Sequence, residues 1–486
     1  MINWDNEDIH RYSSPLVPCF SELISEFLTS AILRHTSYFL RLTRFKSCII
    51  NYPKPSGYQT AVIFLLKAVS MENKTFTNIR SLLEALAKAM NLINPEVEHH
   101  HEQTAYLSYF IARQMNLDIE QIHTVIYAAF LHDVGGAMLD EPTSVIEIES
   151  EAEKYAKIGA EMLRDLPYFS DIASVIAYCQ TNWQNVLAES SQNKPCARLA
   201  SIVHLADAAS LCLNPEKRVL NQVKDICSII ESGKGTYFMP EAVEAFLSLR
   251  PYETIWLDAM ENPNFLFYFT GDIHQVTLEQ TADLTKLMSR IIDYRSSFTA
   301  MHSAGVATTA FELARLSGMS EEDCLKMEIA GNLHDLGKLV VPREILEKPG
   351  KLTPEEFNVI KEHTYYTRLI LMGIDGFENI ADWAAYHHEK LNGKGYPFHL
   401  SAEHLDLGSR IMAVADIFSA ITEVRPYRAG MQKDQVIRIL KEDVESGAIC
   451  GDIVNLLIEN YDQIDAERDR KSREAGKRYF ENINLG

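Results

Sequence analysis

The chain has 486 residues, room for two to four domains with cores of their own, and its 47% hydrophobic content gives no sign of long disorder. A net charge of −21 argues against nonspecific binding to nucleic acid polymers. Eight scattered cysteines with no CxxC pair, and no apolar run near the roughly 20 residues of a membrane span, argue against a disulfide scaffold, a zinc ribbon or a membrane protein, and for the cytoplasm.

In chain order, residues 1–70 stand apart, with seven Lys+Arg against five Asp+Glu, leaving about −23 for the remainder. "NYPKPSGY" (51–58) breaks any helical pattern there. The segment reads either as an extra small domain or as sequence upstream of a start at Met71. From residue 76 apolar residues recur at three- and four-residue spacing between Gly/Pro punctuation, which predicts an all-α protein.

A repeat organises these helices. "FLHDVGGAML" (130–139) returns as "NLHDLGKLVV" (332–341), 202 residues on, and the same offset sets "FIAR" (110–113) on "ELAR" (312–315) and His100 on His302. Two related helical domains are expected at 76–250 and 281–465, joined by an aromatic connector at 251–280. A charge-dense tail (466–486) is expected as a solvated helix.

The second copy carries His302, His334, Asp335, His363, His387, His388 and Asp416, each in a predicted helix or at its edge with apolar flanks. One buried histidine in such a place is ordinarily a satisfied core residue. Five histidines and two aspartates facing one interior would be a costly unpaired cluster without metal. Imidazole and carboxylate without thiolate lean toward iron or manganese, and seven ligands exceed one ion's demand, so two divalent ions are expected. Asp335, directly after His334, is the natural bridge between them.

His334-Asp335-x-Gly337-Lys338 together with "HHEKLNGKGYP" (387–397), "ILEKPGKLTPEEF" (345–357) and "RPYRAG" (425–430) resembles the HD-GYP family of metal-dependent phosphodiesterases, in the HD hydrolase superfamily. The resemblance implies two tandem HD-type helical domains, the second with a GYP loop. It also implies hydrolysis of cyclic dinucleotides, cyclic di-GMP or 3′,3′-cyclic GMP-AMP, in bacterial second-messenger signalling. Matched residue by residue, it makes the seven His and Asp the metal ligands and Asp335 and Lys338 the catalytic pair. Lys338, Tyr396, Arg425 and Arg428 then contact substrate. Two departures stand out: Phe298 replaces a glutamate that serves a third metal in some members, and Asn392 replaces the aspartate opening the loop. Alternatives are another nucleotide phosphohydrolase of the superfamily, or a non-catalytic cyclic-dinucleotide-binding signalling protein. A homodimer is left open.

The first copy keeps His100, His132, Asp133 and Asp207, but Gly136 replaces the lysine, Tyr155 stands near the His363 position, and Cys179 and Gln180 replace His387 and His388. Too few ligands remain for a bimetallic hydrolase. The expected role is regulatory or dimerising, with one metal left open. Of the run His99-His100-His101 only His100 is in register, so its neighbours are expected in solvent.

Overall fold

Helix starts follow their caps. Asp118, Ser320, Thr353 and Asp406 each accept a backbone N–H three residues on, satisfying an otherwise unpaired donor of the first turn. The computed structural model describes residues 76–91, 99–136, 145–164, 166, 169–189, 194–261, 275–295, 301–423 and 430–483. The chain divides into two units, 1–74 with 267–272 and 75–266 with 273–486, and all described residues belong to the second. The 1–70 segment, Phe298, Arg425 and Arg428 lie outside the described residues.

Strand β1 (Phe76–Asn78) leads into α1 (Ile79–Asn91), α2 (His100–Gln114), α3 (Ile119–Leu131), α4 (Val145–Arg164), α5 (Ser170–Ile176), α6 (Trp183–Ala188), α7 (Pro195–Leu211), α8 (Val219–Ser232), α9 (Pro240–Ser248) and α10 (Glu253–Glu261). The order then restarts with β2 (Gln275–Thr277), α11 (Leu278–Arg295), α12 (His302–Leu316), α13 (Glu321–Leu333) and a 3-10 turn (Leu336–Val340). It continues through α14 (Arg343–Leu346), α15 (Pro354–Leu371), α16 (Glu378–Ala385), α17 (Leu407–Thr422), α18 (Lys433–Glu445), α19 (Gly451–Glu459) and α20 (Tyr461–Ile483). The repeat in the text is a repeat in space: α2 and α12 begin 202 residues apart, and so do α3 and α13. Among the described residues the fold is all-α apart from the two short strands, and no described helix is long and apolar enough to cross a membrane.

The strands join the copies. They pair antiparallel with Thr77 opposite Val276, and each directly precedes the first helix of its own copy. Equivalent positions therefore face each other, as in a two-fold contact between like subunits. Helix α1 also packs against α15 and the 3-10 turn of the second copy.

Within the second copy, α12 packs on α13, α17 and α20, around buried residues such as Val306, Leu313, Leu333, Val414 and Phe418. Its polar centre depends on one close approach. A Cβ at Gly337 would collide with the His363 carbonyl, so only glycine lets the 3-10 turn sit against α15. Thr367 fastens that contact: its hydroxyl accepts the Gly337 N–H at 2.9 Å and donates to the His334 carbonyl at 3.0 Å. Gly337→Ala is expected to destabilise the fold by about 1–3 kcal/mol through overpacking, measured as a lower urea midpoint. In the first copy Gly135 packs against the Tyr155 carbonyl in the same way, with Gly159 where the second copy has Thr367.

The tail differs from expectation. Helix α20 is charge-dense, yet Arg468 and Ser472 on its inner face are buried, and it packs along α12 where Gly305 leaves room for them. Arg468 keeps its guanidinium paired with Asp465 at 2.8 Å while its methylene stem covers the core. The helix is thus docked on one side rather than surrounded by solvent.

Candidate metal centre

The second copy's seven predicted ligands come together in one interior. His302 opens α12, His334 caps α13, Asp335 begins the turn after it, His363 lies on α15, His387 and His388 follow α16, and Asp416 lies on α17. Four of them (His334, Asp335, His363 and His387) are no more than 2% exposed. Helix ends explain part of the arrangement, because the last carbonyls of a helix lack intrahelical partners. His334 Nδ1 donates to the Gly331 carbonyl at 2.8 Å, and His387 Nδ1 to the Ala384 carbonyl at 2.6 Å. His363 Nδ1 does the same to Ile360 at 2.6 Å. A carbonyl can only accept, so each bond fixes the tautomer and leaves an Nε2 lone pair facing inward.

These lone pairs form two groups. His302, His334 and Asp335 make one triad, and His363, His387 and His388 the other. Asp335 stands between them: its Oδ2 is 3.3 Å from His334 Nε2, and its Oδ1 is 3.6 Å from His363 Nε2. Asp416 also faces both ways, Oδ1 lying 3.1 Å from His302 Nε2 and Oδ2 3.9 Å from His388 Nδ1.

The donor set fits divalent metal. Ligand atoms about 2.1 Å from an ion lie roughly 3.0–3.4 Å from one another in octahedral or tetrahedral geometry. The separations here include 3.1 Å for His302 with Asp416, and 3.3 Å for both His334 with Asp335 and His363 with His387. His334 Nε2 is buried without a hydrogen-bond partner, an atom that a metal would satisfy.

Charge states agree with that chemistry. Burial pushes His363 down to about 3 and lowers His387 and His388 as well, so these imidazoles are neutral, the form in which an imidazole can accept a metal ion. Burial would raise the Asp335 carboxyl, but neighbouring His334 and Lys338 hold it well below the usual carboxylate range. Burial likewise opposes ionisation of Asp416, and the His302 hydrogen bond with nearby histidines outweighs it. His302 behaves differently. Burial would lower it, yet bonds to Asp416 and Glu423 raise it to about 10, so a cation binding there displaces a proton.

The substrate residues are distributed more unevenly. Lys338 reaches Asp335 Oδ2 at 2.5 Å from the next turn. Tyr396 is half-buried over the second triad, its ring 4.9 Å from that of His388. Gly395 allows this approach, since a Cβ there would strike the backbone of Glu389 and Lys390. The replacement of aspartate by Asn392 has a structural use: its Oδ1 accepts the Lys394 N–H at 3.1 Å while its Nδ2 donates to the Ser446 carbonyl at 3.1 Å. A carboxylate could not make the second bond.

Two carboxylates escaped the sequence reading. Glu389, only 2% exposed, accepts the backbone N–H groups of Phe398 and Leu400 at 2.7 and 2.9 Å, closing the loop on itself. Glu389→Gln removes one acceptor and is expected to raise KM about tenfold while metal content stays constant, as steady-state kinetics and metal analysis would show. Glu423 Oε2 stands 3.5 Å from His302 Nδ1 and supports that ring from behind.

The first copy's cluster is also assembled, with His100, His132 and Asp133 in mutual contact. One expectation fails here. His101 is buried at 5% exposure rather than in solvent, its Nε2 turned toward Asp133. The residue after the aligned histidine lies on the inner face of α2, and Asn91 binds its other nitrogen at 2.9 Å.

Comparison with known protein families matches residues 286–449 and residues 97–211 each to the HD domain. The 3′3′-cGAMP-specific phosphodiesterase 3 of Vibrio cholerae is 30% identical over 334 residues, covering 64% of this chain and 69% of that protein. The chain belongs to the HD-GYP family. Another relative, the 3′3′-cGAMP-specific phosphodiesterase 1 of V. cholerae, is 29% identical over 82% of this chain and 95% of its own length. A cyclic di-GMP phosphodiesterase of Pseudomonas aeruginosa is 28% identical over 63% of this chain and 65% of that protein. The HD-GYP fold is shared with the crystal structure of a cyclic GMP-AMP-specific phosphodiesterase of V. cholerae, at a TM-score of 0.55 and 22% identity, covering 80% of this chain and 98% of that one.

Proposed function

We propose that this HD-GYP protein hydrolyses a cyclic dinucleotide, 3′3′-cGAMP first and cyclic di-GMP second, to the linear dinucleotide, using two divalent ions of iron or manganese. The observation that carries the reading is the Asp335 carboxylate, whose two oxygens address two different histidine groups. A site for one ion has no need of that division. The preference for 3′3′-cGAMP draws support from the relative that shares both copies over most of its length.

When bound, the ion pair would supply activated water and positive charge for the phosphoryl oxygens. The chain's own residues do the rest. Asp335 and Asp416 hold the two triads in register. Lys338 presents an ammonium beside Asp335, suited to a non-bridging oxygen of the scissile phosphate. Tyr396 shapes the wall of the pocket, with Phe357 against its ring at 5.6 Å. Arg425 and Arg428, outside the described residues, are proposed to bind the second phosphate as planar forks. In the first copy Gly136, Tyr155, Cys179 and Gln180 remove the lysine and the second triad, so it serves as a fused packing partner and not as a second catalyst.

The test is anaerobic loading with iron or manganese, then chromatography of products from 3′3′-cGAMP and cyclic di-GMP. Linear products from both, formed faster from 3′3′-cGAMP, are expected. No product from either, with about two ions bound at the second copy, would overturn the substrate class.

A further inference from the structure

Helices α2 and α12 each open on a histidine in the same register, His100 and His302, but the two rings are held differently. Both turn Nε2 toward an aspartate, at 3.1 Å to Asp207 Oδ1 in the first copy and 3.1 Å to Asp416 Oδ1 in the second. The other ring nitrogen separates them. Three residues beyond each aspartate stands a serine, Ser210 in α7 and Ser419 in α17. Ser210 gives its proton to the Asp207 carbonyl at 2.8 Å, so its Oγ accepts from His100 Nδ1 at 2.9 Å. Ser419 makes no such bond: its Oγ is buried with no hydrogen-bond partner among the described residues.

Two differences in sequence account for the change. Thr104, whose hydroxyl lies 3.0 Å from Ser210 Oγ, has Val306 in its register, and a valine cannot hold a hydroxyl in place. Helix length differs as well. Helix α7 ends at Leu211, four residues after Asp207, whereas α17 continues to Thr422, six after Asp416. The added half-turn carries Glu423 to the ring. Its backbone N–H donates to the Ser419 carbonyl at 3.0 Å, its side chain is buried, and its Oε2 lies 3.5 Å from His302 Nδ1. Asn214 holds the matching position in the first copy, beyond the end of α7, and its Oδ1 accepts the Glu216 N–H at 2.8 Å instead.

A separation of 3.5 Å is the outer edge of a hydrogen bond, so charge carries most of this contact. A buried carboxylate does there what a hydroxyl cannot. It favours the proton on Nδ1, which reserves the Nε2 lone pair for a cation, and it makes that nitrogen a stronger donor. We propose that Glu423 is a positioning residue of the second copy's metal centre: it orients His302 and strengthens its hold on the ion of the His302, His334 and Asp335 group. The first copy, with Ser210 on the corresponding ring, lacks that support. The inference rests on the two-ion reading above and assigns to this chain a carboxylate outside the seven ligands.

The test uses the full chain, stripped of metal and titrated with Mn2+, with free ion followed by electron paramagnetic resonance and bound ion counted by mass spectrometry. Glu423→Gln keeps the shape and an acceptor oxygen but loses the charge. It is expected to retain its helical circular dichroism and to bind one ion about 10- to 100-fold more weakly than the parent. Its unfolding temperature is expected to rise less on addition of Mn2+. Ser419→Ala is expected to match the parent in both readouts. Equal Mn2+ affinity in Glu423→Gln and the parent would overturn the inference. So would an equal loss in Ser419→Ala, which would give the ring to the serine, or unfolding of metal-free Glu423→Gln, which would make the carboxylate a prop for the helix. A parent holding no more Mn2+ than its Asp335→Asn, His387→Gln variant would have no ions in the second copy. That count overturns the two-ion reading itself, and the parent alone tells it apart from a failure at Glu423.

Discussion

Asp335→Asn is expected to lower turnover of the cyclic dinucleotide at least about 10³-fold and to remove at least one metal ion per chain. The substitution preserves shape, so the loss reports chemistry. The carboxylate offers an acceptor to each triad, at 3.3 Å to His334 and 3.6 Å to His363. Asparagine keeps one acceptor and turns an N–H donor toward the other group, where ligands need a lone pair filled by metal. Helix packing has no reason to change, because Gly337 and Thr367, which hold the turn against α15, are untouched. Turnover within tenfold of the parent, with full metal content, would remove Asp335 as the bridge and leave the paired-site reading without its main support.

The sequence disclosed this centre because its spacing is repeated and its donors are unusual in an apolar setting. His302, His334, Asp335, His363, His387, His388 and Asp416 all reach one interior, and the 202-residue offset reappears in the bounds of α2 with α12 and α3 with α13. What stayed hidden depends on direction more than on composition. His101 and Ser303 share a register, yet only the helix's rotation decides that the first faces a buried cluster. Glu389 follows two histidines in the text like any surface glutamate, and its role emerges only once the chain doubles back to bring Phe398 and Leu400 to it. The tail misled in the opposite sense. Its charge suggested solvent, but Arg468 and Ser472 recur on one side of α20, and a stem of methylenes is enough to bury that side. The β1–β2 pair was equally illegible, since three residues are too few to show an alternation.

Lys338→Met is expected to lower kcat about 10²- to 10³-fold, with metal bound as tightly as in the parent or more tightly. The two effects have opposite signs because Lys338 does two things. Its ammonium lies 2.5 Å from Asp335 Oδ2, where it competes electrostatically with any cation using that oxygen. An ammonium has three donors, and one bond to Asp335 leaves two for a phosphoryl oxygen. Methionine fills much of the same volume without charge, so the 3-10 turn keeps its packing while Asp335 loses a competitor. Gly136 in the first copy shows the same turn built without the lysine: the glycine preceding it packs in the same place, and a Cβ added at Gly136 would meet open space. Steady-state kinetics beside a manganese titration separates the possibilities. A fall in kcat with undiminished metal affinity assigns the lysine to the reacting phosphate. A fall in both together would make it a prop for Asp335, and the substrate would then have to find its positive charge elsewhere in the pocket.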